Sequence, residues 1–594
     1  MLNFMEVNFG ARGVRPRNDY GRIARRASLL AGLAAFALTC AAVPMADPDS
    51  EMLLGTMQQE LMRAQTSLAK SEPAPYYISY AVFDRQNVSI NASEGSLMNS
   101  VDSKQRTADV TMRVGAPALD NTHGEGRESG IASATLPMGT NRDAVARGLW
   151  LMTNNEYRQA SAVYTNVKTQ KAVQSEEEDK SADFSVEKPH EAIVPGGTPV
   201  PVHQKEWEER VKGFSAEFKK FNYIYNSVAS LTFDQGTQFV VSSEGTRLAQ
   251  PGHSARLVLE AETRADDGME LLRVETFEAP TPEQLPSNAD ISKKIEKMAS
   301  DLKALRAAPV ADPYAGPALL SGRAAAVFFH EVLGHRLEGH RQRGEEEGQT
   351  FTKKIGEAIL PSFLSVADDP TLKEIGGVKL AGTYEFDDEG VPAQRVDVIK
   401  DGILKNFLMS RMPVTNFSNS NGHGRRSPGR MATGRQGNLE VISTKTVSDA
   451  ELRKQFIEEI KKQGKTYGLY FEDVEGGFTL TQRQSPQAFQ VLPIIVWRVY
   501  ADGRPDELVR GVDMVGTPIA ALQRIAATGN KVDVFNGVCG AESGWVPVSA
   551  SAPMMLFSEM EVQKKGHGRD RPPILPPPTT AANSSSPNAA GGSR

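Results

Sequence analysis

Two tracts of this chain alternate apolar and polar residues with a period of two. Residues 76–113 alternate, as in the segments YYISYAVFD, QNVSINASEG and TADVTMRVG, and residues 224–276 do so as in SVASLTF, TQFVVSS, SARLVLEAET and LLRVETF. That period puts successive side chains on opposite faces of a strand, so both tracts predict antiparallel sheet with one wet face, the first broken by polar turns between its three segments. Helical spacing predicts helices over 49–68, 143–164, near 204–220 and over about 290–307. The stretch 115–139 has no period and reads as a loop. Residues 171–202, with SEEEDK and a Val/Pro/Gly tract, read as an exposed connection.

The 594 residues are ample for two or three domains and a large core without a disulfide or metal staple. Basic residues number 67 against 73 acidic, a net charge of −6, which argues against a general nucleic-acid binder. No fixed-period repeat occurs, and no strand–GxGxxG–helix or GxxxxGK[ST] element, so a dinucleotide fold and a P-loop ATPase lose their main support. The two cysteines, Cys40 and Cys539, exclude a disulfide scaffold and an ordinary iron–sulfur cluster.

The chain opens with six arginines in its first 26 residues and then an uncharged run, ASLLAGLAAFALTCAAVPMA, from Ala27 to Ala46. A basic region, an apolar region and a small-residue exit predict an export signal over 1–46, cleaved after Ala42 or Ala46, although twenty uncharged residues also suffice for an anchor. No other stretch is long and apolar enough to span a membrane. The last thirty residues are rich in Pro, Ser, Asn and Gly and are expected to be disordered.

The densest chemistry is SGRAAAVFFHEVLGHRLEGHRQRG, which places His330, His335 and His340 within eleven residues and Glu331 beside the first. Histidines four apart, as in HExxH, lie about 40° apart round an α-helix and share a metal ion; the five-residue spacing of HEVLGH gives about 140°. Ordinary helix would point the two rings away from each other. Either this is no metal site, or the helix widens through a π-bulge, or it ends at Gly334.

YAGPALLSGRAAAVFFHEVLGHRLEGHRQRGEE resembles the TldD/PmbA family of metallopeptidases, whose active members carry HExxxH. The likeness continues through 351–371, 382–411, GHGRR at 422–426, 468–489, 510–525 and FNGVCGAESGWVPVSASAP at 535–553. It covers most of 313–562 and is much looser before that. The resemblance implies zinc ligands at His330, His335 and Cys539, one Zn2+ per chain, and Glu331 as the general base. It also implies a peptide or unfolded-polypeptide substrate and a dimer, either a homodimer or a heterodimer with a family partner lacking HExxxH.

The expected fold class is α+β, an N-terminal helix/antiparallel-sheet domain followed by a β-rich C-terminal half carrying the metal-site helix. The expected boundaries are a targeting segment at 1–46, an N-terminal domain at 47–312 with insertions near 115–140 and 171–202, a catalytic region at 313–562 and a tail at 563–594. The expected setting is the periplasm or cell envelope of a bacterium, with the cytoplasm as the alternative if 1–46 is no signal. An exported zinc amidase acting on envelope material and a non-catalytic envelope subunit are the competing functions.

Four further features have two readings each. His340 stands where the family usually has aspartate, and is either a third ligand or a residue behind the ligands. Glu338 either buttresses a histidine or faces solvent. Asp387, Asp388 and Glu389 imitate a metal cluster but read as an acidic turn. Arg425 and Arg426 either hold a substrate carboxylate or backbone carbonyls, or belong to a solvated loop.

Overall fold

The computed structural model describes residues 48–124, 129–173, 179–344, 347–485 and 487–566. The export segment read over 1–46 and the tail beyond residue 566 therefore lie outside the described residues. No helix among the described residues is long and apolar enough to cross a membrane.

The first alternating tract forms one long hairpin, Pro75–Ser93 against Ser96–Ala116, closed by Glu94 and Gly95 at φ of 51° and 73°. The expected turn between its first two segments does not occur. Asp84 to Asn87 are paired on both sides, with 103–106 and with 234–237, so the ladders absorb the polar residues that suggested a break. Gly236 permits the approach: a Cβ there would sit 2.1 Å from the carbonyl oxygen of Asp84. The second tract supplies the strands Asn226–Ser242, Arg247–Arg264 and Glu270–Ala279, which complete an eight-stranded sheet among the described residues.

The period of two then decides what each face of this sheet buries. Ile78, Tyr80 and Val82 pack under the helices Pro48–Leu68 and Arg142–Val173 through Leu53, Leu54, Met57 and Leu149. Val88 and Ile90 pack under the helices Gln204–Glu217 and Asn288–Ala307 through Trp207, Ile291 and Ile295. The residues between them, Ala81 and Phe83, face the other way and meet Phe386 of the C-terminal half. One face thus carries helices and the other receives the second half of the chain.

Two expected loops are more ordered than their composition suggests. The stretch 115–139 includes the short strands Leu119–Asp120 and Ile131–Thr135, which pair with Ser96–Ala116. The supposedly exposed connection buries Asp183, Phe184 and Ser185. Phe184 lies between two guanidinium planes, Arg113 at 3.8 Å and Arg411 at 3.9 Å, a cation–π sandwich that composition does not announce.

The C-terminal half is a twelve-stranded mixed sheet among the described residues, mostly antiparallel. Its last two strands, Ile525–Ala541 and Gly544–Lys564, form a long hairpin running two residues past the expected end of the catalytic region. The short helix Gly322–Phe329 is buried against this hairpin and the strand Tyr467–Thr479. Phe328 anchors it, with ring centroids 5.1 Å from Phe557 and 5.4 Å from Phe489. Truncating such a phenylalanine costs about 3–5 kcal/mol. The fold is mixed α and β with more strand than helix.

Candidate metal centre

The helix that carries the histidines starts at a defined cap. Ser321 accepts the N–H of Ala324 at 3.1 Å, satisfying one of the free donors of the first turn. Apolar residues from Ala324 to Phe329 then drive the helix into the core. At His330 the winding changes to a π turn over His330–Gly334, in which the N–H of His335 donates to the carbonyl of His330. Hydrogen bonding from i to i+5 brings residues five apart onto one side, which resolves the spacing of HEVLGH. Gly334 leaves room for Gln436: a Cβ there would lie 1.9 Å from its Oε1, so the buried amide would have to move.

The π turn turns both imidazoles toward Cys539. Its Sγ lies 3.2 Å from Nε2 of His330 and 3.3 Å from Nε2 of His335. All three residues are buried, and their donor atoms fall within 4.8 Å of one another. Tetrahedral zinc with ordinary Zn–N and Zn–S bonds would separate N and S by about 3.5 Å. The donor set and its spacing therefore fit a metal of that type after an adjustment of a few tenths of an ångström.

The charges agree with this geometry. Burial pushes the Cys539 thiol up, but His335 and His330 outweigh it and hold the thiol well below its ordinary value. Burial pulls both imidazoles down, and the facing thiolate reverses that, raising His330 and raising His335 further. Glu331, with Oε2 3.9 Å from Nε2 of His335, is raised by burial. Gly477 makes room for it, since a Cβ there would lie 2.7 Å from Cγ of Glu331.

Glu338 is fully buried, so its solvent-facing reading is wrong. Its Oε1 accepts from Nδ1 of His335 at 3.1 Å and its Oε2 from Nε of Arg341 at 2.7 Å. Burial opposes its ionisation, yet His335, Arg341 and Arg435 pull its pKa down to about 2. His340 is also buried and pairs with Glu542 rather than with Cys539. With Glu347 and Glu542 it forms a second group of donor atoms within 4.8 Å, and Arg341 reaches Glu542 at 3.0 Å and Glu347 at 3.5 Å.

Asp387 to Glu389 form the acidic turn that the sequence suggested. Oδ1 of Asp387 accepts the N–H groups of Glu389 and Val391, and Gly390 closes the turn at φ 82°. Burial and the neighbouring Glu389 push Asp387 well above its usual range. The solvated-loop reading of the arginine pair does not hold. Arg425 and Arg426 are both buried, the first donating to the carbonyl of Gln436 and the second paired with Asp109 of the N-terminal half.

The three donors and Glu331 open onto a cleft of about 2120 Å³, with His123 and Ile131 from the N-terminal half among its walls and Phe478, Leu480 and Trp545 from the C-terminal half. Along it runs Tyr467–Thr479, which is paired with Phe489–Tyr500 throughout but with Tyr314–Leu320 only at Leu469–Phe471. Its Gly476–Thr479 end lines the cleft beside Glu331.

Fold and site together define a mixed α/β protein with a two-histidine, one-cysteine constellation of metal-ligand type. Residues 314–564 match the family model of the PmbA/TldA metallopeptidase C-terminal domain. Over that region the chain is similar to the TldD/PmbA family. Among similar proteins, the metalloprotease TldD homolog of Haemophilus influenzae is 29% identical over 250 residues, 41% of this chain and 48% of that protein. The zinc metalloprotease TldD homolog of Saccharolobus solfataricus is 25% identical over 256 residues, 42% of this chain and 52% of that one. The match thus spans about half the length of these relatives. The crystal structure of TldE from Thermococcus kodakarensis superposes with a TM-score of 0.55 at 14% identity, covering 86% of this chain and all of that one.

Proposed function

We propose that the protein is a zinc-dependent peptidase that hydrolyses peptide bonds of small or unfolded polypeptides. The observation that carries this reading is the convergence of His330, His335 and Cys539, with Glu331 set beside them at the wall of a large cleft. Those three residues would hold one zinc ion per chain, leaving a position open toward the cleft. Bound there, zinc supplies the Lewis acidity that acidifies a water molecule and polarises a peptide carbonyl.

Glu331 does the proton work. Its carboxylate accepts the proton of the attacking water and passes it to the leaving amine, a role helped by the burial that raises its pKa. Glu338 holds the Nδ1 proton of His335 and so keeps Nε2 of that ring facing Cys539. The cleft has about twice the volume of even a large small-molecule site. An extended peptide laid against the Gly476–Thr479 edge would bring its backbone past Glu331.

The basic and then apolar opening of the chain supports export to the periplasm or cell envelope. The resemblance to the TldD/PmbA family supports pairing with a second copy or with a family partner lacking HExxxH.

The test is Glu331→Gln in the purified protein, assayed on unstructured peptides with metal content measured in parallel. Hydrolysis should fall by at least 10²-fold while zinc stays near one per chain. Retained peptide hydrolysis would sink the mechanism, and activity confined to cell-envelope amides would replace the substrate.

A further inference from the structure

Arg435 and Gln436 touch the structure behind all three candidate ligands, although neither stands out in the sequence. Gln436 donates from Nε2 to the carbonyl of His330 at 3.4 Å. Arg435, fully buried, donates from one terminal nitrogen to the carbonyl of Cys539 at 2.8 Å. Its other terminal nitrogen donates to Oγ of Ser543 at 2.8 Å and to the carbonyl of Gly544 at 3.0 Å. Its Nε faces Oε1 of Glu338 at 3.3 Å, the same oxygen that accepts from His335.

One guanidinium therefore spans the hairpin that carries Cys539 and the carboxylate that orients His335. A second guanidinium repeats the connection: Arg341 donates to Oε2 of Glu338 and to Oε2 of Glu542, at the turn of the same hairpin. A planar fork with fixed donors can hold three acceptors and a carboxylate in one geometry, which an ammonium on a flexible stem cannot do.

We propose that Arg435 is a positioning residue for the metal site, fixing the Cys539 hairpin against the Glu338–His335 pair so that thiolate and imidazole meet one ion together. Arg341 supports the same register from the turn. This inference rests on the metal-site reading above, and its consequence is specific: metal affinity and thiolate coordination depend on an arginine that touches neither metal nor substrate. Residues that orient metal ligands typically contribute 10–100-fold to affinity.

The experiment uses the full chain and two probes, zinc affinity by chelator competition and the thiolate-to-cobalt charge-transfer absorption of the cobalt(II)-loaded protein. Arg435→Lys should weaken zinc binding about 10–100-fold and reduce the charge-transfer band. Arg411→Lys is the control: this arginine is equally buried and paired with Glu244, remote in its contacts from the ligands. It should lower the melting temperature and leave both metal readouts unchanged.

If Arg435→Lys behaves like the control, Arg435 is merely structural and the inference is overturned while the metal site stands. If the unaltered protein binds no zinc, the proposed function fails first and this inference falls with it. Should Arg435→Lys not fold, Ser543→Ala removes a single acceptor of the same guanidinium. A several-fold affinity loss there supports the proposal, and unchanged affinity with an unchanged band overturns it.

Discussion

His335 Nε2 and Cys539 Sγ lie 3.3 Å apart although 204 residues separate them in sequence. Replacing Cys539 with Ser puts a hard, weakly acidic hydroxyl where a stabilised thiolate stood. The expected result is loss of most bound zinc and of peptide hydrolysis, measured by metal analysis after dialysis and by assay on the same sample. Undiminished zinc would show that another residue completes the site.

The contact between Gly477 and Glu331 makes a second prediction. In Gly477→Ala the new methyl would meet Cγ of Glu331 at 2.7 Å and the carbonyl oxygen of Gln490 at 2.9 Å. The carboxylate must shift, and a displacement of about 1 Å costs on the order of 10²-fold in rate. Turnover should therefore fall with zinc content intact, the opposite signature to Cys539→Ser. Full activity would place the working carboxylate elsewhere.

Gly334→Ala tests the π turn itself. The methyl collides with the Gln436 amide, which also donates to the carbonyl of His330. Unless Gln436 swings away, the turn cannot keep its winding, and His330 and His335 lose their common direction. Zinc affinity should drop by about 10-fold or more, and trimming Gln436 to Ala in the same chain should restore part of it. No rescue in the double variant would locate the strain elsewhere.

Glu156 gives a prediction about pH. It sits in the helix Arg142–Val173, 2% exposed, with Oε1 unpartnered among the described residues, and burial raises its pKa to about 7. Its unfolded value is lower, so between about pH 4.5 and 7 the unfolded chain releases a proton that the folded chain retains. Stability should fall as pH rises through that window, by on the order of 2–3 kcal/mol. Glu156→Gln should equal the unaltered protein near pH 4.5 and exceed it at pH 8 in urea titrations. Parallel curves for the two proteins across the whole range would refute the assignment.

The sheets and helices of the N-terminal half were legible because their signals are local. Alternation such as that of Ile78, Tyr80 and Val82, and helical spacing such as that of Ile291, Ile295 and Met298, follow from which side a strand or helix buries. The gathering of His330, His335 and Cys539 was legible only through family likeness, since spacing alone left open whether the helix ended, widened or bound nothing. Arg435, Gln436 and Glu542 were missed, although they support that cluster. Their contacts reach 104 residues to Cys539, 106 to His330 and 201 to Arg341. Nothing in the neighbourhood of an arginine or glutamine marks such distant acceptors. The burial of Arg425 and Arg426 was missed for the same reason: the Arg426 partner, Asp109, is 317 residues away.

The long hairpin that carries Cys539 also sets an order of events during synthesis. At about 5–20 residues per second, the thiol follows His335 out of the ribosome by roughly 10–40 s over those 204 residues. Until the hairpin closes, the two imidazoles are only two of the three candidate donors, with no nearby sulfur to retain an ion. Completion of the candidate metal centre thus waits on one of the last strands of the described sheet, and on the proposed function an unfinished or misfolded chain would remain unarmed.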